Sequence, residues 1–215
     1  MSRLIIFDLD GTILDTIADL SAGVNHTLET HGFPTHTMSE FKMMVGHGMR
    51  KLVTAAMPES ERREDFIDTF LKEFLDYYLE HIDIATVPFP GIPELLRKLD
   101  AEGFKIAVAS NKIQPGTERL IREFFPDIPF VAICGNRPGY PLKPDPALVR
   151  SIMDAAGVCG SDTIMVGDSD TDIQTAKNAG IRVIAVTWGL RPTEALTGAD
   201  VIANTAEELL DACRI

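Results

Sequence analysis

The feature that most constrains this chain is an alternation that starts near Val87. The runs "FKIAVAS", "FVAIC", "TIMVG" and "RVIAV" are short, apolar and rich in β-branched residues, and a helix-length segment separates each from the next. "DVIA" adds a last short strand. Strands joined through helices run parallel, and a parallel sheet needs cover on both faces. The pattern predicts an α/β fold, a doubly wound parallel sheet with a Rossmann-like core. With 215 residues, 45% of them hydrophobic, the chain can fill such a core and a second, smaller unit.

One strand lies apart from this series. "LIIFDLDGTILDT", Leu4 to Thr16, runs four apolar residues into two aspartates and turns on Gly11. Between it and the alternating region, residues from about 17 to 81 read as helix. "TIADLSAGVNHTLETHG" stops at Gly32 ahead of a proline, and "SEFKMMVGHGMRKLVTAAMP" is broken by Gly46 and Gly48 and ends at Pro58. "ESERREDFIDTFLKEFLDYYLEH" sets Phe66, Ile67, Phe70, Leu71, Phe74, Leu75 and Tyr78 on one face at helical spacing. The first strand joins the sheet only across this insert, which must leave the core near Asp15 and return near Pro88. The expected organisation is an α/β core of residues 1–15 plus 88–215, carrying an inserted all-helical cap, residues 16–87.

Strand ends of a parallel sheet share one edge, so residues there converge even when far apart in sequence. The first strand brings Asp8 and Asp10, two apart and on the same side of an extended segment. "AVASNK" brings Ser110 and Asn111, "PLKPDP" brings Lys143, and "MVGDSDTD" brings Asp168 and Asp172. Crowded carboxylates persist near neutral pH only with compensating charge, and hard oxygen ligands without Cys or His suit Mg²⁺. Lys143, the Ser110 hydroxyl and the amides of the Gly11 turn complete a cradle for a phosphoryl group. Asp170 reads as no more than a first-turn acid at a helix N-terminus, and Trp188 as a packing residue.

Composition narrows the partners. A net charge of -12 without any Lys/Arg cluster argues against nucleic acid. A small anion still binds where a metal ion or a lysine reverses the field locally. No apolar run reaches membrane-spanning length, and the N-terminal run is cut at Asp8, unlike a signal peptide, so no membrane association and a cytoplasmic location are expected. Cys134, Cys159 and Cys213 are odd in number and lack CxxC spacing, which suggests neither a disulfide framework nor a zinc site. His26, His31, His36, His47 and His81 all fall in the helical insert without metal-binding spacing.

"DLDGT", "ASN", "KPDP" and "GDSDTD", in that order and each after an apolar strand, resemble the four motifs of the haloacid dehalogenase-like hydrolases. The helical insert resembles their helical-cap subfamily, and "VGHG", "PGI", "SNK" and "VTWG" its phosphoglycolate phosphatase-like members. The resemblance implies a Mg²⁺-dependent phosphatase that hydrolyses a small phosphorylated metabolite, 2-phosphoglycolate or a similar ester. Asp8 would attack phosphorus to form an aspartyl-phosphate, and Asp10 would protonate the leaving alkoxide and then activate water. Mg²⁺ would be held by Asp8, the Asp10 main-chain carbonyl and Asp168. Lys143 and Ser110 would bind the transferring oxygens, Asp172 would orient metal waters or Lys143 from behind, and Gly11, Thr12 and Asn111 would border the phosphate. In the cap, His47 and Arg50 are expected against the substrate's leaving portion, Arg50 as a fork suited to a carboxylate.

A phosphosugar mutase or inorganic pyrophosphatase on the same core, a dehalogenase, and a non-enzymatic receiver-like phosphate sensor are the rival readings. Asp10 argues against the dehalogenase, and chain length and the insert against the receiver. A monomer or small homo-oligomer is expected.

Overall fold

The computed structural model describes residues 3–215. In chain order the main elements are β1 (Leu4–Phe7), β2 (Leu14–Asp15), α1 (Ile17–Thr30), α2 (Met38–Met44), α3 (Met49–Ala56), α4 (Glu64–Glu80) and β3 (Val87–Pro88). There follow α5 (Ile92–Ala101), β4 (Lys105–Ile113), α6 (Gln114–Phe124), β5 (Ala132–Asn136), α7 (Ala147–Ala156), β6 (Thr163–Gly167), α8 (Asp170–Ala179), β7 (Arg182–Val186), β8 (Val201–Ala203) and α9 (Ala206–Arg214). Six strands form one parallel sheet in the order β5-β4-β1-β6-β7-β8. All four residues of β1 are buried, as a central strand covered on both faces requires. From β1 the chain builds outward through β4 and β5, then returns to β1's other side and builds through β6, β7 and β8. The reversal places a crevice beyond the carboxyl ends of β1 and β6, where sheets of this kind bind ligands.

"TIMVG" and "RVIAV" are strands over the residues that carry the pattern. "FVAIC" begins two residues later than its apolar run suggests and extends to Asn136. "FKIAVAS" continues as β4 past Ser110 to Ile113, with its pairing to β5 slipping between Ala109 and Ile113. Such an irregularity bends a strand and re-aims its side chains. Here it lies across Ser110, Asn111 and Lys112.

The helical segment between β2 and β3 holds together through helix faces. α4 buries Ile67, Phe70, Phe74 and Tyr78, each contributing about 2 kcal/mol by removal from water. Gly23 lets α1 come close: a Cβ there would lie 3.1 Å from the Phe74 ring and 3.3 Å from that of Tyr78. α2 is opened by a capping box between Thr37 and Glu40. Gly46 and Gly48 both adopt positive φ, which ends α2 and lets Gly48 start α3.

β2 and β3 pair antiparallel, Leu14 with Pro88 and Asp15 with Val87, so the chain enters and leaves the helical segment through one ribbon. Asp19, buried in the first turn of α1, secures the returning strand. Its carboxylate accepts from the Ala85 amide at 2.9 Å, and from the Thr86 amide and hydroxyl at 2.8 Å each. Asp19→Ala strands these buried donors and should cost about 3 kcal/mol, read as a lower urea midpoint at unchanged slope. Asp19→Asn, which keeps one acceptor, should cost roughly half as much.

Candidate active site

Asp8 follows β1, and its Oδ1 accepts from Leu9 N at 2.7 Å. Lys143, carried on the loop before α7, places Nζ 2.9 Å from Asp8 and 2.7 Å from Asp172. Asp168 follows β6 and receives the Leu190 amide at 2.6 Å and the Thr12 hydroxyl at 3.3 Å. Asp172, in the first turn of α8, accepts from Lys143 on one oxygen and from Ser169 Oγ at 2.6 Å on the other. Oxygens of Asp8, Asp168 and Asp172 lie within 4.8 Å of one another.

Three buried carboxylates thus share one lysine. Burial, joined by the Asp172 and Asp168 charges, pushes Asp8 up to about 8 against the pull of Lys143. Burial and Asp172 likewise push Asp168 up to about 7, against the Leu190 amide and Arg191. Burial opposes the Lys143 ammonium too, yet Asp172 and Asp8 outweigh it and hold that group above the ordinary lysine range. The donors are all hard oxygens, and one lysine does not neutralise three carboxylates. This set fits a divalent cation bound by Asp8 and Asp168.

The other expected residues fall into three groups. Asp10 and Ser110 line the pocket with Asp8, Lys143, Asp168 and Asp172. The Ser110 hydroxyl accepts from the Lys112 amide at 3.2 Å, which leaves its own proton to donate. Thr12 and Gly11 act behind the pocket. Gly11 has φ +84°, and a Cβ there would collide with the Asp168 carboxylate. Asn111 borders the pocket but spends its amide on main chain, giving to Gly46 O at 2.9 Å and Lys143 O at 3.1 Å and accepting from Lys143 N at 2.8 Å. It braces two loops.

The cap residues need correction. Arg50 does not face the pocket: its guanidinium pairs with Glu64 and Asp68 of α4 on the surface. The helical turn explains this, since Met49 and Leu52 of α3 face the pocket while Arg50, about 100° round from Met49, faces α4. His47 is not among the pocket-lining residues, and its Nδ1 meets the Thr171 hydroxyl at 3.4 Å. The roof of the pocket is Val45, Gly46, Gly48, Met49 and Leu52, a surface of backbone and apolar side chains.

A family model described as haloacid dehalogenase-like hydrolase matches residues 5–186. The chain belongs to that family. Among its curated relatives, a phosphoglycolate phosphatase of Mesorhizobium japonicum is 38% identical over 88% of this chain and 85% of its own length. One from Pseudomonas putida is 33% identical over 99% of this chain and 80% of its own length. The solved structure of a Lactobacillus delbrueckii subsp. bulgaricus protein, assigned as a phosphoglycolate phosphatase, superposes with a TM-score of 0.91 at 35% identity, covering 99% of both chains.

In this haloacid dehalogenase-like hydrolase two pocket residues carry no role expected from the sequence. Lys112 is wholly buried, 2.9 Å from Asp10. It lies two residues beyond Ser110 in β4, within the stretch of irregular pairing, and both line the pocket. Arg191 follows β7 and donates to the carbonyls of Lys42 and Val45, at the end of α2 and just beyond it. No periodicity marks it.

The raised acids set a pH dependence. A carboxyl raised from 3.8 to about 8 keeps a proton that the unfolded chain has lost, so its contribution to stability falls as pH rises through that interval. A bound divalent cation supplies the counter-charge that the buried acids lack. The increase in Tm produced by a saturating divalent cation should therefore grow from about pH 5 to about pH 8. Differential scanning fluorimetry with the cation and with EDTA measures it, and an increment that is flat with pH would count against a cation between Asp8 and Asp168.

Proposed function

We propose that the chain is a Mg²⁺-dependent phosphatase of a small phosphorylated metabolite, with 2-phosphoglycolate or a close analogue as substrate, acting through an aspartyl-phosphate on Asp8. One observation carries the reading: the Asp8 carboxylate stands at a strand end, 2.9 Å from Lys143, in a pocket shared with Asp10, Asp168 and the Ser110 hydroxyl. In this reading Asp8 attacks phosphorus. Lys143 and Ser110 hold the transferring oxygens, and Asp10, two residues on, serves the leaving group and then the water. Asp8, Asp168 and the Asp10 carbonyl would hold the metal, with Asp172 orienting Lys143. When bound, Mg²⁺ would neutralise phosphate and nucleophile together.

The substrate class rests on the relatives' names and on the roof. The residues over Asp8 leave a cavity of about 30 Å³, and that small space favours a small leaving group. The reading places the enzyme in the cytoplasm, supported by three unbridged cysteines, two of them buried.

Phosphate release from 2-phosphoglycolate, pyrophosphate, hexose phosphates and nucleotides, with and without Mg²⁺, tests the proposal. Mg²⁺-dependent release should be greatest with the small carboxylated ester, and EDTA should silence it reversibly. Isomerisation of a sugar phosphate without release would replace phosphatase by mutase. Asp8→Asn should abolish turnover and leave no acid-stable label from a ³²P-substrate; activity within about tenfold of wild type would remove Asp8 as nucleophile. Lys143→Ala should lower kcat/KM by more than about tenfold.

A further inference from the structure

Lys112 has no part in the steps above, yet its surroundings are specific. Its side chain is fully shielded from solvent, and its Nζ lies 2.9 Å from Asp10 Oδ1. The Thr16 hydroxyl donates to that same oxygen at 2.6 Å. No protein group among the described residues donates to Asp10 Oδ2. The carboxylate is therefore held by one oxygen and offers the other, in the pocket that contains Asp8 and Lys143.

The second contact of Lys112 comes from the helical insert. Its ammonium lies 5.0 Å from the centre of the Tyr78 ring of α4, and Tyr78 is itself buried, its hydroxyl without a hydrogen-bond partner. Removing an ammonium from water is costly unless a counter-charge and a polarisable face replace the lost hydration. Asp10 supplies the first and Tyr78 the second. A residue placed only for packing would carry no charge here.

We propose that Lys112 is a positioning residue for Asp10, fixing Oδ1 so that Oδ2 is presented to the leaving-group oxygen, with Tyr78 completing the seat of the lysine. The inference rests on the reading of Asp10 as the acid. In the step concerned, the bond from Asp8 to phosphorus forms as the bond from phosphorus to the leaving oxygen breaks. That bond's electron pair stays on the leaving oxygen, which takes the proton from Asp10 Oδ2. Asp10 ends the step as a carboxylate, and Lys112 faces it with the opposite charge. An acid that swings free of this alignment loses rate steeply, since a misplacement of about 1 Å costs on the order of a hundredfold.

The test compares leaving groups. Lys112→Met keeps the length of the side chain and removes its charge. For each enzyme, kcat/KM, which reports events through departure of the leaving group, is measured on 2-phosphoglycolate and on p-nitrophenyl phosphate, whose leaving group needs little protonation. The substitution should lower the alkyl-to-aryl ratio of kcat/KM by at least about tenfold, with KM for the aryl ester little changed. The ratio cancels the amount of folded enzyme, so a destabilised variant still gives a reading. Ethylammonium added to Lys112→Ala should restore the alkyl rate more than the aryl rate. An unchanged ratio in Lys112→Met, whether both rates fall together or neither falls, overturns the assignment and leaves the phosphatase reading standing. A wild-type enzyme that releases phosphate from neither ester overturns both.

Discussion

Three carboxylates share a space less than 5 Å across, almost out of reach of water, with one lysine among them, and the surrounding structure is organised by that crowding. Isolated charges in such a place would unfold the strand ends or take up protons. Donors offset part of that cost. Asp168 receives a main-chain amide and a threonine hydroxyl, Asp172 a serine and the lysine, and Asp8 the lysine and the amide next in sequence. Gly11 withholds a side chain where one would strike Asp168. Trp188, beyond β7, donates its indole N–H to the Thr12 carbonyl at 3.0 Å and steadies the loop from outside. What remains uncompensated is the excess negative charge itself, and a cation answers it.

Much of this was legible because it depends on strand geometry. Apolar runs ending in Asp, Ser or Asp-Ser announce both a buried parallel sheet and the groups at its edge. The α/β architecture and the convergence of Asp8, Asp10, Ser110, Asp168 and Asp172 follow from that one property, and Lys143 was marked by the proline-opened helix that follows it. Contacts made by helices and loops were less legible. Arg50 carries the right charge at the right distance along the chain, but its direction depends on which face of α3 meets α4, and the acids Glu64 and Asp68 decide that. Asn111 looks like a ligand because its neighbour Ser110 lines the pocket, whereas its amide is consumed by carbonyls that only the folded loops bring near. Lys112 was hidden by a strand that continues beyond the apparent end of its apolar run.

The end of α2 and its connection to α3 gather contacts from three separate parts of the sheet's carboxyl edge. Asn111 beyond the middle of β4, Thr171 after β6 and Arg191 after β7 each reach a residue between Lys42 and His47. The Arg191 guanidinium approaches carbonyls where α2 ends, the negative end of its helix dipole. The roof over Asp8 is thereby held by the same loops that carry the acids and the lysine, and the position of one follows the position of the other.

The paired strands β2 and β3 set the points where the helical segment departs and returns side by side, an arrangement that invites exchange of one such segment for another. Tyr78 limits that freedom. Its ring closes over a lysine that belongs to the sheet, so a core given a foreign insert would expose a cation to water beside Asp10 unless the newcomer also brought an aromatic face to that spot. Recombination between members of such a family is then restricted by a single ring as much as by the match of two linkers, and a successful graft is one that carries its own cover for Lys112.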